Sequence, residues 1–236
     1  MNKAISIGTL REQQLHAGLK EWLAQPGDAF EQKVDGFHID IVRGKMLIEI
    51  QTRNFSMIRK KLANLLQSHP VLLVHPIAST KWIIRKTKRG KKLSRRKSPK
   101  RGRIEDIFGE LIYIPEIASH RNFQLQVLLI EQEDIWRDDG RGSWRRKHWS
   151  ISDKVLVNVL GGIEFKSLED YLSLIPTSLD APFTHRQLAA ALDAPIWTST
   201  RMSYCLRKMG ALQVSGRLGR SMLLAPVVPA DKIKIA

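Results

Sequence analysis

The run from Gly36 to Gln51, Gly-Phe-His-Ile-Asp-Ile-Val-Arg-Gly-Lys-Met-Leu-Ile-Glu-Ile-Gln, leaves little freedom in how it folds. Its alternation reads as two strands, 37–43 and 46–51, joined by Gly44-Lys45, and glycine at the first central position suits a type II′ turn. Such a turn pairs Arg43 with Met46, so counting outward sets Asp40 directly opposite Glu49 and His38 opposite Gln51. One face then carries His38, Asp40, Glu49 and Gln51, while Phe37, Ile39, Ile41, Ile48 and Ile50 occupy the other. Two like charges at opposed positions, with Cβ atoms roughly 5 Å apart, destabilise a sheet. A divalent cation is the simplest compensation.

The charge of the whole chain points to a polyanionic partner. Thirty-nine Lys and Arg face 23 Asp and Glu, a net charge of +16. Between Lys86 and Arg103, eleven of eighteen residues are basic and none is acidic, and removing those eleven leaves +5. A block of that kind repels itself, so the stretch near 86–103 is expected to be a mobile arm or long loop. Cys205 is the single cysteine, which excludes an intramolecular disulfide and any zinc site built on several thiolates. It falls on the apolar side of a predicted helix, as a core thiol. The apolar runs are too short for a membrane span and no signal-peptide pattern opens the sequence, so the cytoplasm is the expected compartment.

Apolar spacing predicts a helix over 10–23, with Leu15, Leu19, Trp22 and Leu23 on one stripe, and a strand near 30–34 before the hairpin. A second helix is expected over 55–67, carrying Phe55, Ile58, Leu62, Leu65 and Leu66. Val71-Leu-Leu-Val74 reads as a buried strand. Further strands are expected at 80–86 and 123–130, whereas 104–111 suits a short helix but runs on into an apolar triplet. This order is an α/β layout with a mixed sheet flanked by helices. The segment from Trp136 to Trp149 interleaves Arg145, Arg146 and other cations with Trp144 and Trp149. It reads either as a nucleic-acid surface or as a solvated loop whose tryptophans fold back onto the core.

The last sixty residues read as a separate unit. Thr184-His-Arg-Gln187 has the spacing of a capping box opening a helix through Leu192. A second helix follows over 198–209, closed by Gly210, and two strand-like runs flank Gly216-Arg-Leu-Gly-Arg220. Helix, turn, helix and a basic hairpin resemble a winged helix-turn-helix domain, assigned here to residues 177–228. The resemblance implies DNA contact through Arg201, Tyr204, Arg207 and Lys208 on the second helix and through Arg217 and Arg220 on the hairpin.

An acidic residue on one strand, then Glu-x-Gln on its neighbour and a helix directly afterwards, resembles the core of the PD-(D/E)XK nuclease superfamily. The resemblance covers roughly residues 8–77 and implies a restriction-endonuclease-like α/β fold, here assigned to residues 1–160. It implies that Asp40 and Glu49 bind Mg²⁺ or Mn²⁺, with the Ile50 carbonyl completing the site and Gln51 in the place of the usual lysine. Lys33 and His38 are candidates to support the site from nearby. Glu12 reads either as a further metal ligand or as the closing residue of a capping box begun by Thr9.

The function implied is a metal-dependent endodeoxyribonuclease that hydrolyses phosphodiester bonds. Its DNA would be held by Lys88, Arg89, Lys91, Lys92, Arg95 and Arg96 of the basic stretch and by the C-terminal unit, and a homodimer remains open. Gln51 keeps a second reading alive, a non-catalytic DNA-binding regulator with a degenerate nuclease domain. The Lys- and Arg-rich stretch keeps a third, an RNA-binding protein.

Overall fold

Leucines four residues apart build the first helix, α1 (Gln13–Leu23), and Leu15, Leu19 and Leu23 are all buried. They pack on Ile41, Ile48, Ile50, Val74, Leu128 and Ile130, and burying each leucine contributes about 2 kcal/mol. Trp22 was expected on the same stripe but is exposed. It lies about 60° round the helix from the centre of the leucine row. The structure is a computed structural model that describes residues 13–146 and 148–227. Glu12 and Thr9, with the capping box proposed for them, lie outside the described residues.

After α1 come β1 (Ala29–Val34), β2 (Phe37–Arg43), β3 (Met46–Ile50), α2 (Phe55–Leu65), β4 (Val71–Lys86) and β5 (Lys92–Lys97). Two short helices, α3 (Phe108–Leu111) and α4 (Pro115–Ala118), precede β6 (Phe123–Arg137) and β7 (Ser150–Phe165). The remainder is α5 (Leu168–Leu172), α6 (His185–Ala191), α7 (Ile196–Lys208), β8 (Leu212–Leu218) and β9 (Ser221–Pro226). The fold is α/β, with a central sheet flanked by helices. The sheet runs β1-β2-β3-β4-β6-β7 with β5 added to β4, and β8 and β9 form a second, two-stranded sheet. Among the described residues no helix is long and apolar enough to cross a membrane.

Two compact units emerge, and they do not follow chain order. One contains Met1–Arg53, Leu72–Ile104 and Gln126–Ile163; the other contains Asn54–Val71, Glu105–Leu125 and Glu164–Ala236. The first holds α1 and most of the sheet. The second holds α2 to α7 and the small sheet, with Phe55, Leu62, Phe108, Leu111, Leu188, Met202 and Leu206 all buried and Phe165 stacked on Tyr171 at 4.5 Å. The capping box expected at the start of α6 is formed. Thr184 Oγ1 accepts the Gln187 N–H at 3.3 Å, and Gln187 Oε1 accepts the Thr184 N–H at 2.8 Å.

The hairpin expected between residues 37 and 51 is present in the expected register. Arg43 pairs with Met46, Val42 with Leu47 and Ile41 with Ile48, while Gly44 takes φ 56° at the turn. Arg43 also ties the hairpin to the end of α1. Its Nε and Nη2 donate to the two Asp28 carboxylate oxygens, each at 2.8 Å, and Nη2 donates to the Leu23 carbonyl at 2.7 Å. The hydrogen bonds from Arg43 hold the Asp28 carboxyl below its ordinary range.

The basic stretch departs from expectation. Residues 92–97 are not part of a mobile arm or loop; they form β5, which pairs with the second half of β4 from Trp82↔Lys97 to Lys86↔Lys92. Distant partners offset the self-repulsion that the local sequence implied. Arg95 donates to Glu133 at 2.9 Å and lies 3.7 Å over the Trp82 ring, Lys81 reaches Asp134 at 3.7 Å, and the Trp82 indole donates to Glu131. The strand over 123–130 extends to Arg137, residues 104–111 are helical, and the long strand β7 has no counterpart in the sequence reading.

Candidate functional site

Asp40 sits where β2 leaves regular pairing on both sides. Toward β3 the ladder stops at Ile41↔Ile48. Continuing it would set Ile50 against Ile39, but the Ile50 N–H donates instead to Asp40 Oδ2 at 2.8 Å. Toward β1, Phe30↔Ile41 and Gln32↔Ile39 are paired, while Glu31, opposite Asp40, takes φ 52° and drops out of the ladder. Left-handed backbone at a residue other than glycine costs free energy and is concentrated at functional sites.

That irregularity changes where Asp40 points. Strict alternation put its side chain on the sheet face opposite Ile41, Ile48 and Ile50, yet the carboxylate meets α1, the helix that packs on those isoleucines. His16 Nε2 lies 3.2 Å from Asp40 Oδ2, and Lys20 Nζ lies 3.5 Å from Oδ1. Lys20 also contacts Glu31. Burial works to raise the Asp40 carboxyl, but His16, the Ile50 N–H and Lys20 outweigh it and hold the group below the ordinary aspartate range. For Lys20, burial acts downward and is overcome by Glu31 and Asp40, so the ammonium is held above its ordinary value. The carboxylate and the ammonium are therefore both charged at neutral pH.

The neighbouring strand carries the other expected carboxylate. Alternation with Ile48 and Ile50, which pack on α1, directs Glu49 to the opposite face of β3, away from the side on which Asp40 meets His16 and Lys20. Glu49 is 6 % exposed on β3, and an ionised carboxylate at that depth requires donors or a cation. Gln51 follows directly after β3. Its N–H donates to Val74 O at 2.9 Å, its carbonyl is 2.7 Å from His75 Nδ1, and its amide donates to the Arg53 carbonyl. Lys33 and His38 pair with each other across β1 and β2 and are exposed. The cation beside Asp40 is thus Lys20, not Lys33. His16 and Lys20 escaped the sequence reading, although their spacing of four residues, one step along from Leu15 and Leu19, put them on a common edge of the helix. Among the described residues no group of three or more His, Cys, Asp or Glu side chains is gathered as for a metal ion.

The stretch containing this hairpin, the basic strand and β6 and β7 matches a known family, recorded as a domain of unknown function, DUF8091, over residues 13–166. The chain belongs to the DUF8091 family. It is also 28 % identical over 231 residues to an uncharacterized protein of Treponema pallidum (strain Nichols), an alignment covering 96 % of this chain and 90 % of the relative. That alignment reaches well beyond the DUF8091 segment, into the C-terminal helices and hairpin. No solved structure matches.

The remaining cations expected to meet DNA divide between the DUF8091 segment and the part beyond it. Within the segment, Lys88, Arg89, Lys91, Lys92, Arg95 and Arg96 are exposed, and Arg145 is exposed with its guanidinium 5.5 Å over the Trp144 ring. Arg146 closes the short turn Trp144–Arg146. Trp144 is 75 % exposed, whereas Trp149 is partly buried with Arg85 5.2 Å over its ring. Trp149 thus folds back against the protein as one reading expected, while Trp144 stands in solvent. Beyond it, Arg201, Tyr204 and Lys208 line the exposed side of α7, and Arg217 and Arg220 are exposed on the β8–β9 hairpin. Arg207 does not face outward as expected. It is half-buried with Nη1 3.9 Å from Met222 Sδ, because the hairpin packs back along α7.

Proposed function

We propose that this chain is a metal-dependent DNA endonuclease, with a restriction-endonuclease-like core of the PD-(D/E)XK type and a C-terminal winged helix that helps hold the substrate. The observation that carries the reading is the break in pairing at Asp40. It sets an ionised carboxylate beside the charged Lys20 and against the Ile50 N–H, close to where β3 ends.

The donor set suits a hard cation. Asp40, Glu49 and the Ile50 carbonyl would be the oxygen ligands that the resemblance assigns, and Mg²⁺ keeps several waters and accepts a substrate phosphate for its remaining positions. A bound ion would polarise the phosphate and acidify a water. The protein's own groups do the positioning. Lys20 offers the positive charge that Gln51 lacks, close enough to Asp40 to approach a phosphate oxygen or an attacking water. The Gln51 amide is a donor for the same purpose. Exposed cations on β5, α7 and the β8–β9 hairpin supply the phosphate contacts.

A second reading rests on the same carboxylate. Because the Lys20 ammonium already faces Asp40, that carboxylate has a cationic partner without an ion, as suits a non-catalytic DNA-binding protein. A cleavage panel separates the two: linear duplex, nicked, flapped and four-way DNA, with Mg²⁺ or Mn²⁺ and with EDTA, for wild type and Asp40→Ala. Metal-dependent cutting that disappears in the variant supports the nuclease. DNA left intact by wild type under every condition, with binding retained, supports the regulator.

A further inference from the structure

Left-handed backbone picks out one residue of the molecule. Among the described residues, the positions other than glycine in that conformation are Glu31, Asp35, Asn54, His148 and Asp193. Asparagine, aspartate and histidine are the types enriched there, and those four lie in turns, in loops or at helix ends. Glu31 is the exception in both respects, a glutamate inside β1 with φ 52°. Glycine would take that conformation without the steric cost that a Cβ imposes. Strain of this kind persists where the surrounding structure enforces it, and it clusters at functional sites.

The break brings the Glu31 carboxylate to a particular place. Phe30↔Ile41 and Gln32↔Ile39 stay paired on either side of it, so the distortion is confined to one residue. A regular residue here would set its side chain directly opposite Asp40, with two like charges facing each other on one side of the sheet. With the break, both carboxylates meet one ammonium: Lys20 Nζ contacts Glu31 Oε1 and lies 3.5 Å from Asp40 Oδ1. The shorter contact is to Glu31, while Asp40 keeps the Ile50 N–H and His16 on its other oxygen. The Lys20 side chain is 17 % exposed and that of Glu31 is 61 % exposed. The ammonium is thus fixed from the solvent side, next to Asp40 and not on it. Drawn fully onto Asp40, it would cover Oδ1 and lose its charge to that carboxylate.

We infer that Glu31 is a positioning residue of this site. Its left-handed backbone carries the carboxylate to Lys20, and that contact holds the ammonium beside Asp40, where it can meet a phosphate oxygen of the substrate. The inference rests on the nuclease reading for what Lys20 does there, but not for how Lys20 is held.

The test uses the full chain as wild type, Glu31→Gln, Glu31→Gly, Lys20→Gln and the double variant Glu31→Gln/Lys20→Gln. The first measurement needs neither DNA nor metal: the Lys20 Nζ resonance in proton–nitrogen correlation spectra, assigned by its absence from Lys20→Gln. A held ammonium exchanges its protons slowly with water, so the signal is expected in wild type and should shift or vanish in Glu31→Gln and Glu31→Gly. The second is single-turnover cutting of plasmid DNA with Mg²⁺. Glu31→Gln should slow it about fivefold while leaving DNA affinity within about twofold, and the double variant should cut no more slowly than Lys20→Gln alone, since groups that act as a unit are not additive. Glu31→Gly should unfold in urea at or above the wild-type midpoint, because glycine relieves the backbone. A wild-type spectrum without the Lys20 signal, or a signal unchanged in Glu31→Gln, overturns the inference whatever the cutting. So does a double variant slower than Lys20→Gln by the full Glu31→Gln factor, and so does Glu31→Gly unfolding well below the wild-type midpoint, which would make Glu31 structural. A wild type that cuts no DNA, with the resonance behaving as expected, overturns the nuclease reading and leaves Lys20 held by Glu31.

Discussion

Two antiparallel hairpins of the same unit handle charge in opposite ways. The β2–β3 hairpin turns at Gly44 and draws its carboxylates inward, where Asp40 takes the Ile50 N–H and faces His16 and Lys20. The β4–β5 hairpin turns at Gly90 and leaves its cations in solvent, with Arg95 matched by Glu133. Backbone chemistry does not separate them. A charge withdrawn from water has to be matched within the protein, whereas exposed charges gain little from any one neighbour and remain available to a partner. The first hairpin should therefore govern chemistry and acid stability, and the second should govern salt-dependent binding.

The largest effect that would break this division is on cleavage. Asp40→Ala should lower metal-dependent cutting on the order of 10³-fold while leaving duplex affinity within about twofold, since Asp40 touches no phosphate in this scheme. A parallel loss of affinity, measured by fluorescence anisotropy, would show that the two hairpins act as one surface.

Stability comes next. Asp40→Asn leaves Lys20 and His16 facing a neutral group and should cost about 1–3 kcal/mol in urea unfolding at neutral pH. The folded Asp40 carboxyl is depressed, so its contribution is complete above the unfolded aspartate value of about 3.9 and is lost as pH falls through the lower folded value. The difference between wild type and Asp40→Asn should thus be steady from neutral pH down to about pH 5 and shrink only in stronger acid. A gap that closed near neutral pH would point to a different group.

Smaller effects sharpen the comparison. Lys20→Gln should reduce cleavage by about tenfold or more, with the loss in turnover rather than in substrate affinity, and Lys20→Arg should recover part of it. A loss confined to affinity would move Lys20 from the reacting centre to substrate binding. Arg95→Ala should cost under about 1 kcal/mol, as exposed ion pairs and ring contacts do, and change Trp82 fluorescence. A larger loss would mean that β5 depends on this one contact.

What could be read in advance follows from the range of the forces involved. The β2–β3 register and the α6 capping box rest on residues within a few positions of one another, and both are as expected. A second capping box was equally readable and was missed: Ser167 and Asp170 close it at the start of α5. Alternation at Val155, Val157 and Val159 belonged to β7, but Leu156 and the Gly161-Gly162 pair diluted it. The basic stretch was misjudged because its like charges are adjacent in sequence, while Glu131 and Glu133, which help hold β4 and β5, lie dozens of residues away. At the candidate site Asp40 could be found by pairing rules alone, but His16 and Lys20 could not.

The sequence by itself determined the turn at Gly44 and the pairing of Arg43 with Met46 through Ile41 with Ile48, because a two-residue turn and a period of two leave one register. It also determined the excess of cations. Only the tertiary structure decided which groups answer those charges. α1 brought Lys20 and His16 to Asp40, and β6 brought Glu133 to Arg95. Charge pairing depends on distance in space, and packing of apolar faces, rather than spacing along the chain, sets that distance.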